Sequence, residues 1–273
     1  MSPSGRKPRS NLIGVTSVRF AGATSIAAGI AGCLSPDGRT LLVDLNPDLP
    51  EQATLLDLDG RVTVYHLAHR AQLAAVSAAE LNDHVRWHEG VAVLPGIADP
   101  SQATLLRDRF VASLLDAAAE AFEWVVIDLG RARPDLPPAA TCGLVLWVLT
   151  PSPLGLAAFD RRFGQMRAAG VPWLEDLRVV INQMADDSLA GVADFLTAEH
   201  GVTVAGTVPY EPGFWRGIEL SHSLQAFSVE IREEARYVSW FGKEALRTRS
   251  AIELIVERLK ADMEGRSRVG VEA

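Results

Sequence analysis

The feature of this chain that most limits its fold is a series of short, uninterrupted apolar segments. They recur along the 273 residues and alternate with longer segments rich in alanine and leucine. Strands that are apolar on both faces are typical of a parallel sheet with helices packed on each side. The predicted strands are residues 11–18, 39–46, 90–96, 123–130, 142–150, 177–184 and 202–209. We therefore predict an α/β fold, a three-layer sandwich with a mostly parallel central sheet flanked by helices.

Helices are predicted between most of these strands. The clearest comprises residues 103–122, where Leu106, Phe110 and Leu114 lie on one apolar stripe. The other predicted helices are residues 24–34, 71–81, 154–170, 188–201 and 243–264.

The chain shows no internal repeat and no linker that would divide it, and its length suits one large α/β domain. We expect a basic, disordered arm over residues 1–10, a single domain over residues 11–264 and a polar tail over residues 265–273.

Composition and charge exclude several classes of function. The net charge of -8 argues against a general DNA-binding protein, whose phosphate contacts need a basic surface. Cys33 and Cys142 have no metal-site spacing, so we predict that both are reduced and structural. No uninterrupted apolar segment reaches about 18 residues, so no membrane span is predicted. We expect a cytoplasmic protein, with recruitment to a membrane-associated complex left open.

Polar residues follow several of the predicted strands, and ligands of open parallel sheets bind at these carboxyl ends. The segment "SVRFAGATS", residues 17–25, follows the first strand and precedes a helix, the position of a phosphate-binding loop. Asp44 and Asn46 end the second strand, Asp128 ends the fourth, and Asn182 lies near the end of the sixth. We expect these residues to lie at one edge of the sheet.

Seven segments taken in order strengthen this interpretation. They are "GATSIAAGIA", "RTLLVDLNPDLP", "GVAVLPGIADP", "WVVIDLG", "LVLWVLTPSPLGL", "VVINQM" and "VAGTVPYEPGFWRGIELSHSL". Together they resemble the motifs of the ParA/MinD family of P-loop ATPases, and the resemblance covers roughly residues 11–264. It implies the P-loop NTPase fold of the deviant Walker type.

The resemblance also implies a nucleotide site, working or vestigial. Its residues would be Arg19, Gly22, Ala23, Thr24, Ser25, Asp44, Asn46, Asp128, Asn182 and Pro209. If a nucleotide binds, the resemblance implies that Thr24 and Asp128 hold its Mg²⁺. For Asp128 and Asn182 an alternative stays open, which is that each caps a turn at the end of its strand.

The loop departs from the P-loop pattern G-x-x-x-x-G-K-[ST]. Gly22 and Thr24 match it, but Ala23 stands where the lysine that contacts the β- and γ-phosphates is expected. The family's second, earlier lysine corresponds to Val18. Arg19 follows directly and could substitute, although its reach and geometry differ from those of lysine.

Two further positions depart from the family. Phe20 adds bulk where glycine normally lets the backbone approach phosphate. Asn46 replaces the acid that orients the attacking water, and an amide cannot act as a carboxylate base. Asp44 keeps the first acid of that motif.

We therefore predict a pseudo-ATPase that needs no cofactor. The Gly-Ala-Thr-Ser junction most resembles the TadZ/CpaE-like branch, which implies a scaffold that positions or assembles a Tad-type pilus or secretion machine. Its expected partners are proteins of a larger assembly and a second copy of itself, not DNA. Two alternatives stay open: a dimerisation switch that binds ATP with Mg²⁺ but hydrolyses it little, and an active partitioning ATPase that uses noncanonical residues such as Arg19.

Overall fold

The central element of the fold is one twisted sheet. The structure, a computed structural model, describes residues 9–18, 20–59, 61–71, 75–133, 137–184, 191–210 and 238–269. Within these ranges the strands are β1 (Arg9–Ser17), β2 (Thr40–Asp44), β3 (Arg86–His88), β4 (Val91–Leu94), β5 (Trp124–Arg131), β6 (Cys142–Leu149), β7 (Leu177–Met184) and β8 (Thr203–Pro209). They are ordered β3-β4-β2-β5-β1-β6-β7-β8.

The pairing of the strands confirms the mostly parallel sheet. Among the described strands β3 pairs with β4 in antiparallel register, and the other neighbours are parallel. The helices are α1 (Ala23–Leu34), α2 (Gln52–Leu55), α3 (Val64–Arg70), α4 (Ala78–His84), α5 (Asp108–Ala121), α6 (Pro153–Ala168), α7 (Gly191–His200) and α8 (Val238–Val269).

Two hydrophobic cores, one on each face of the sheet, make the three layers. Successive residues of one strand point to opposite faces, so Leu12 belongs to the core under α3–α7 and Ile13 to the core under α1 and α8. In the same way, Trp147 belongs to the core under α3–α7 and its neighbour Leu146 to the core under α1 and α8. The Trp147 ring meets Phe159 of α6 edge-on, with centroids 4.9 Å apart, and both are fully buried. The predicted three-layer sandwich is therefore confirmed.

The first difference from the sequence prediction is β3, a three-residue edge strand that the apolar pattern does not mark. Glu89 and Gly90, both with positive φ (45° and 85°), form the two-residue turn that joins it to β4. Such turns match the twist of antiparallel strands. An Asn-Gly or Asp-Gly pair would have signalled this hairpin, but Glu-Gly is a weaker signal.

The second difference concerns the helix predicted over residues 71–81, which is wrong at its start. In the described part of this segment the helix begins at Ala78. Ser77 Oγ accepts a hydrogen bond from the Glu80 backbone N–H (3.2 Å), and the Glu80 carboxylate accepts one from the Ser77 N–H (3.0 Å). This capping box fixes the helix start at a Ser-x-x-Glu sequence that the alanine content had obscured.

The cysteines are free thiols, as predicted. Burial raises the pKa of both Cys33 and Cys142 to about 12, so both remain protonated at neutral pH.

The long helix α8 packs across α1 and β8. Ile252, Ile255 and Leu259 are buried, and a Cβ atom added to Gly206 of β8 would lie 2.6 Å from Ile255 Cγ1. The glycine therefore allows the helix to approach the strand closely. None of the described helices combines the length and apolarity needed to cross a membrane.

We expect Ile255→Ala to lower the free energy of unfolding by about 2–5 kcal/mol, because it leaves a cavity between α8 and the sheet. Leu254→Ala is the matched control, since its side chain is 62% exposed, and it should change stability by less than about 0.5 kcal/mol. Urea denaturation followed by circular dichroism measures both. Equal losses would contradict this packing of α8.

Candidate functional site

A cavity of about 210 Å³ opens where β1, β2 and β5 end. It lies at the edge of the sheet that the sequence predicted. Its border includes Val18, Phe20, Gly22, Ala23, Thr24, Ser25, Asn46, Asp48, Leu49, Glu51, Asp128 and Arg131. Six of the predicted site residues are therefore brought together, from Gly22 to Ser25 with Asn46 and Asp128. Arg19 lies outside the described residues.

The loop turns into α1 at Gly22, whose φ of 82° and ψ of 28° are in the left-handed region that favours glycine. The Gly22 carbonyl accepts the first helical hydrogen bond, from Ile26 N (2.9 Å). No side chain caps this end of α1 among the described residues, so the first-turn amides remain available to an anion. Ala23, which is buried, adds only a methyl group there.

Asp44 and Asp128 lie side by side on β2 and β5, and both are buried. The Asp44 carboxylate accepts hydrogen bonds from the backbone N–H groups of Asn46 (3.0 Å) and Gln52 (3.1 Å). The Asp128 carboxylate accepts from Gly130 N (3.0 Å) and from the Thr24 hydroxyl.

Gln52 connects this pair to the loop, and sequence reasoning missed it. Its Nε2 donates to the Thr24 carbonyl (3.0 Å) and to Asp128 Oδ2 (3.3 Å), and its side chain is fully buried. Its Oε1 has no hydrogen-bond partner among the described residues. The polar residues that follow the strands drew attention to strand ends, whereas Gln52 begins the four-residue helix α2, for which the sequence gives no periodic signal.

The electrostatics of the pair oppose ionisation. Burial raises the pKa of Asp44 well above its usual range, and the neighbouring Asp128 carboxylate raises it further. Burial also raises the pKa of Asp128, although its hydrogen bonds from Thr24, Gly130 and Gln52 lower it in part. The pKa of Glu51 is raised by burial and then by Asp128. A buried pair of acids such as this resists carrying two negative charges.

Asn46 is used to close a loop. Its Nδ2 donates to the Leu49 carbonyl (2.6 Å), and its Oδ1 accepts from the backbone N–H groups of Asp48 and Leu49 (both 3.1 Å). Its side chain lies against Gly130, whose φ is 63°, and a Cβ there would overlap it. Because Oδ1 already accepts two hydrogen bonds, Asn46 is poorly placed to orient a water molecule.

Asn182 and Pro209 lie beyond the border of this cavity. Asn182 is buried; its Nδ2 donates to the Ala21 carbonyl of the loop (2.8 Å), and its Oδ1 accepts from Gln183 N (2.9 Å). Asn182 therefore supports the loop from β7. Pro209 ends β8 and borders a groove between β8 and α8. Residues 211–213, which follow Pro209 and Tyr210, lie outside the described residues.

The described residues offer two possible ligands for a nucleotide-bound magnesium ion. The Thr24 hydroxyl and the Asp128 carboxylate are suitable Mg²⁺ ligands, but in the described part of the chain no group of three His, Cys, Asp or Glu side chains could hold a metal ion. Of the charged residues on the described border of the cavity, three are acidic and one is basic: Asp48, Glu51, Asp128 and Arg131.

Comparison with known proteins places this geometry in a fold. No protein-family model matches the chain, and no curated protein matches its sequence. A ParA family ATPase from Chlorobium tepidum superimposes with a TM-score of 0.70 at 17% identity, over 91% of this chain and 99% of that one. MinD from Pyrococcus horikoshii in complex with Mg-ADP superimposes with a TM-score of 0.67 at 14% identity, over 96% of this chain and 98% of that one. A chain of the MinC:MinD cell division complex from Aquifex aeolicus superimposes with a TM-score of 0.67 at 14% identity, over 92% of this chain and 96% of that one.

The chain therefore has the fold of ParA/MinD-type ATPases, as its motifs predicted. With sequence identities of 14–17%, these superpositions show a shared fold alone.

The acid pair makes a pH-dependent contribution to stability. Because the native pKa of Asp44 is raised, the unfolded chain ionises first as the pH rises above about 4. The contribution is fully present below that pH and is lost as the pH rises toward the native pKa. We expect Asp44→Asn to make this decline in the free energy of unfolding smaller, with the part due to Asp128 remaining, measured by urea denaturation across a pH series. Asp48→Asn, an exposed control, should keep it; identical slopes in all three proteins would contradict the assignment.

We expect Gln52→Leu to lower the free energy of unfolding by about 1–3 kcal/mol, because the Thr24 carbonyl and Asp128 Oδ2 lose their buried donor. Gln165→Leu on the exposed surface of α6 is the control and should be close to neutral. Thermal or urea unfolding distinguishes them. An unchanged stability for Gln52→Leu would show that its bridge contributes nothing.

Proposed function

We propose that this chain is a catalytically degenerate ParA/MinD-like protein that positions or assembles a larger machine through protein contacts. The observation that carries this proposal is the cavity at the loop. It lies at the uncapped start of α1, where a P-loop would be, but its described border is predominantly acidic and Ala23 occupies the lysine position.

Phosphoryl transfer depends on positive charge placed around the transferred group. Here Arg131 is the one basic residue on the described border of the cavity, and Ala23 supplies no charge. Asn46, at the position of the water-orienting acid, has its side-chain oxygen engaged by two backbone N–H groups. Both changes weaken catalysis, and they act on separate steps.

The motifs support a finer assignment to the TadZ/CpaE-like branch, in which a small residue commonly stands at the lysine position. In that assignment the chain would localise or assemble a Tad-type pilus or secretion apparatus. Binding to a partner protein is supported by the similar MinD of Aquifex aeolicus, whose solved structure is a complex with MinC. A homodimer belongs to the same proposal.

A second candidate is a dimerisation switch that binds nucleotide with little turnover. The uncapped start of α1 and the hydrogen bond between the Thr24 hydroxyl and Asp128 favour it. An active partitioning ATPase that uses Arg19 is the third, and it rests on the sequence alone.

In isothermal titration calorimetry we expect the full chain to show no saturable heat of binding with Mg-ATP up to about 1 mM. A dissociation constant above that concentration corresponds to a binding free energy weaker than about 4 kcal/mol. It should also show no phosphate release above background. Ala23→Lys, which returns the missing charge, is the matched comparison and should bind more tightly than the wild-type chain.

Micromolar binding by the wild-type chain without turnover would contradict the scaffold and support the switch. Turnover that Arg19→Ala abolishes would support the partitioning ATPase instead.

A further inference from the structure

A larger cavity lies at the edge of the sheet that ends with β8. Its volume is about 520 Å³, against about 210 Å³ for the cavity at the loop. Residues between Ala205 and Pro209 form its β8 wall, and residues between Arg247 and Arg258 form its α8 wall. We call it the β8–α8 groove.

The β8 wall of the groove is an edge strand. β8 is last in the strand order, so one side of its backbone faces no other described strand. Such an edge offers its N–H and C=O groups to an added strand. Ala205 is an extra residue between the paired positions Val204 and Gly206, and its carbonyl accepts a hydrogen bond from Arg258 Nη1 (2.8 Å). Arg258 therefore contacts the edge strand at one end of the groove.

The α8 wall is low in its middle and apolar. Arg247, Ser250, Leu254 and Arg258 are three or four residues apart in turn, so they lie along one side of the helix. Ser250 and Ala251 are small and leave room beside β8. Leu254 is 62% exposed at the same border, which makes it a contact for an apolar side chain of a partner.

The charge of the groove is positive. Arg247 and Arg258 border it, and no acidic residue does so in the described part of the chain. The acid that follows on this side of α8, Asp262, is paired with Arg178 (2.8 Å). In a chain of net charge -8, this local excess of positive charge favours a negatively charged partner.

The spacing of the two arginines suits an extended segment. Arg247 and Arg258 are eleven residues apart, which is about 16 Å along a helix. An extended chain rises about 3.3 Å per residue, so two carboxylates four or five residues apart span about the same length.

The edge strands of a second copy do not supply such a segment. β3 and β8 are the two edges of the described sheet, and neither contains an Asp or Glu. DNA phosphates would pair with the arginines, but DNA offers no peptide groups to the edge of β8.

We propose that the β8–α8 groove binds an extended acidic segment of a different protein, which adds a strand to the edge of β8. Two of its carboxylates, four or five residues apart, pair with Arg247 and Arg258, and an apolar residue between them covers Leu254. This inference rests on the proposed scaffold function and identifies a contact surface for it.

The test places a photoreactive benzophenone amino acid at position 254 of the full chain in its native cells. After irradiation, mass spectrometry sequences the peptide that is crosslinked. We expect a peptide from another protein with two acids four or five residues apart and an apolar residue between them. The same probe at position 195, also exposed but on α7, should not give this peptide.

The charge is tested with a synthetic copy of the crosslinked peptide, whose affinity is measured by fluorescence anisotropy. Arg247→Glu should weaken binding by at least about tenfold, which corresponds to about 1.4 kcal/mol. Arg107→Glu, at an exposed position before α5, changes the net charge equally and should leave the affinity unchanged. Arg258→Gln keeps a donor for the Ala205 carbonyl and should also weaken binding.

The added strand is tested by hydrogen exchange with the same peptide. Strand addition forms backbone hydrogen bonds, so amide exchange in β8 should slow when the peptide binds, while exchange in α7 should not change.

Adducts with this chain itself, with nucleic acid or with a basic segment would overturn the inference, as would the absence of any adduct at position 254. Unchanged exchange in β8 would overturn it too. If Arg247→Glu leaves the affinity unchanged while partner proteins still co-purify with the chain, this surface is wrong but the scaffold function stands. Micromolar Mg-ATP binding would contradict the scaffold function and not this contact, which the crosslink and the exchange of β8 test independently.

Discussion

The buried contact of Gln52 with Thr24 and Asp128 is the interaction on which the rest of this site depends. One amide nitrogen joins the start of α1 to the end of β5, while the Gln52 backbone N–H holds Asp44 at the end of β2. Two carboxyl groups without water are costly unless donors surround them. The donors from Gln52, Asn46, Gly130 and Thr24 offset that cost, and in doing so they fix the loop, α2 and two strands relative to one another.

The same contacts explain how P-loop geometry persists without P-loop charge. A lysine at position 23 would place a cation at the start of α1, near these carboxyl groups, and alanine removes it. Burial raises the pKa of Asp44 and that of Asp128, while backbone hydrogen bonds lower both in part and hold the two groups in place. Asn46 contributes in a similar way, since an amide can close the 46–49 loop without adding a third negative charge beside Asp44.

The sequence was sufficient for features that repeat and insufficient for those that depend on tertiary contacts. Apolar strands and the polar residues after them have a regular pattern, so the sheet and the cavity with Gly22, Thr24 and Asp128 were predictable. The hydrogen bonds of Asn46 are local, to Asp48 and Leu49, and the Asn-Pro-Asp sequence is a turn signal that accounts for them. Gln52 has no such signal, since nothing near it in sequence indicates that Thr24 and Asp128 will be its partners.

The exposed Phe20 connects the altered cavity to the outer surface. A loop that must admit a triphosphate cannot keep a large aromatic group at its mouth without cost, whereas a loop relieved of that task can. Burial of one phenylalanine side chain contributes about 1.5–3 kcal/mol to an association. The Phe20 side chain is 86% exposed, so nearly all of its surface is available for such a contact. The altered loop and its exposed aromatic side chain therefore lie together on the border of the cavity at the strand ends.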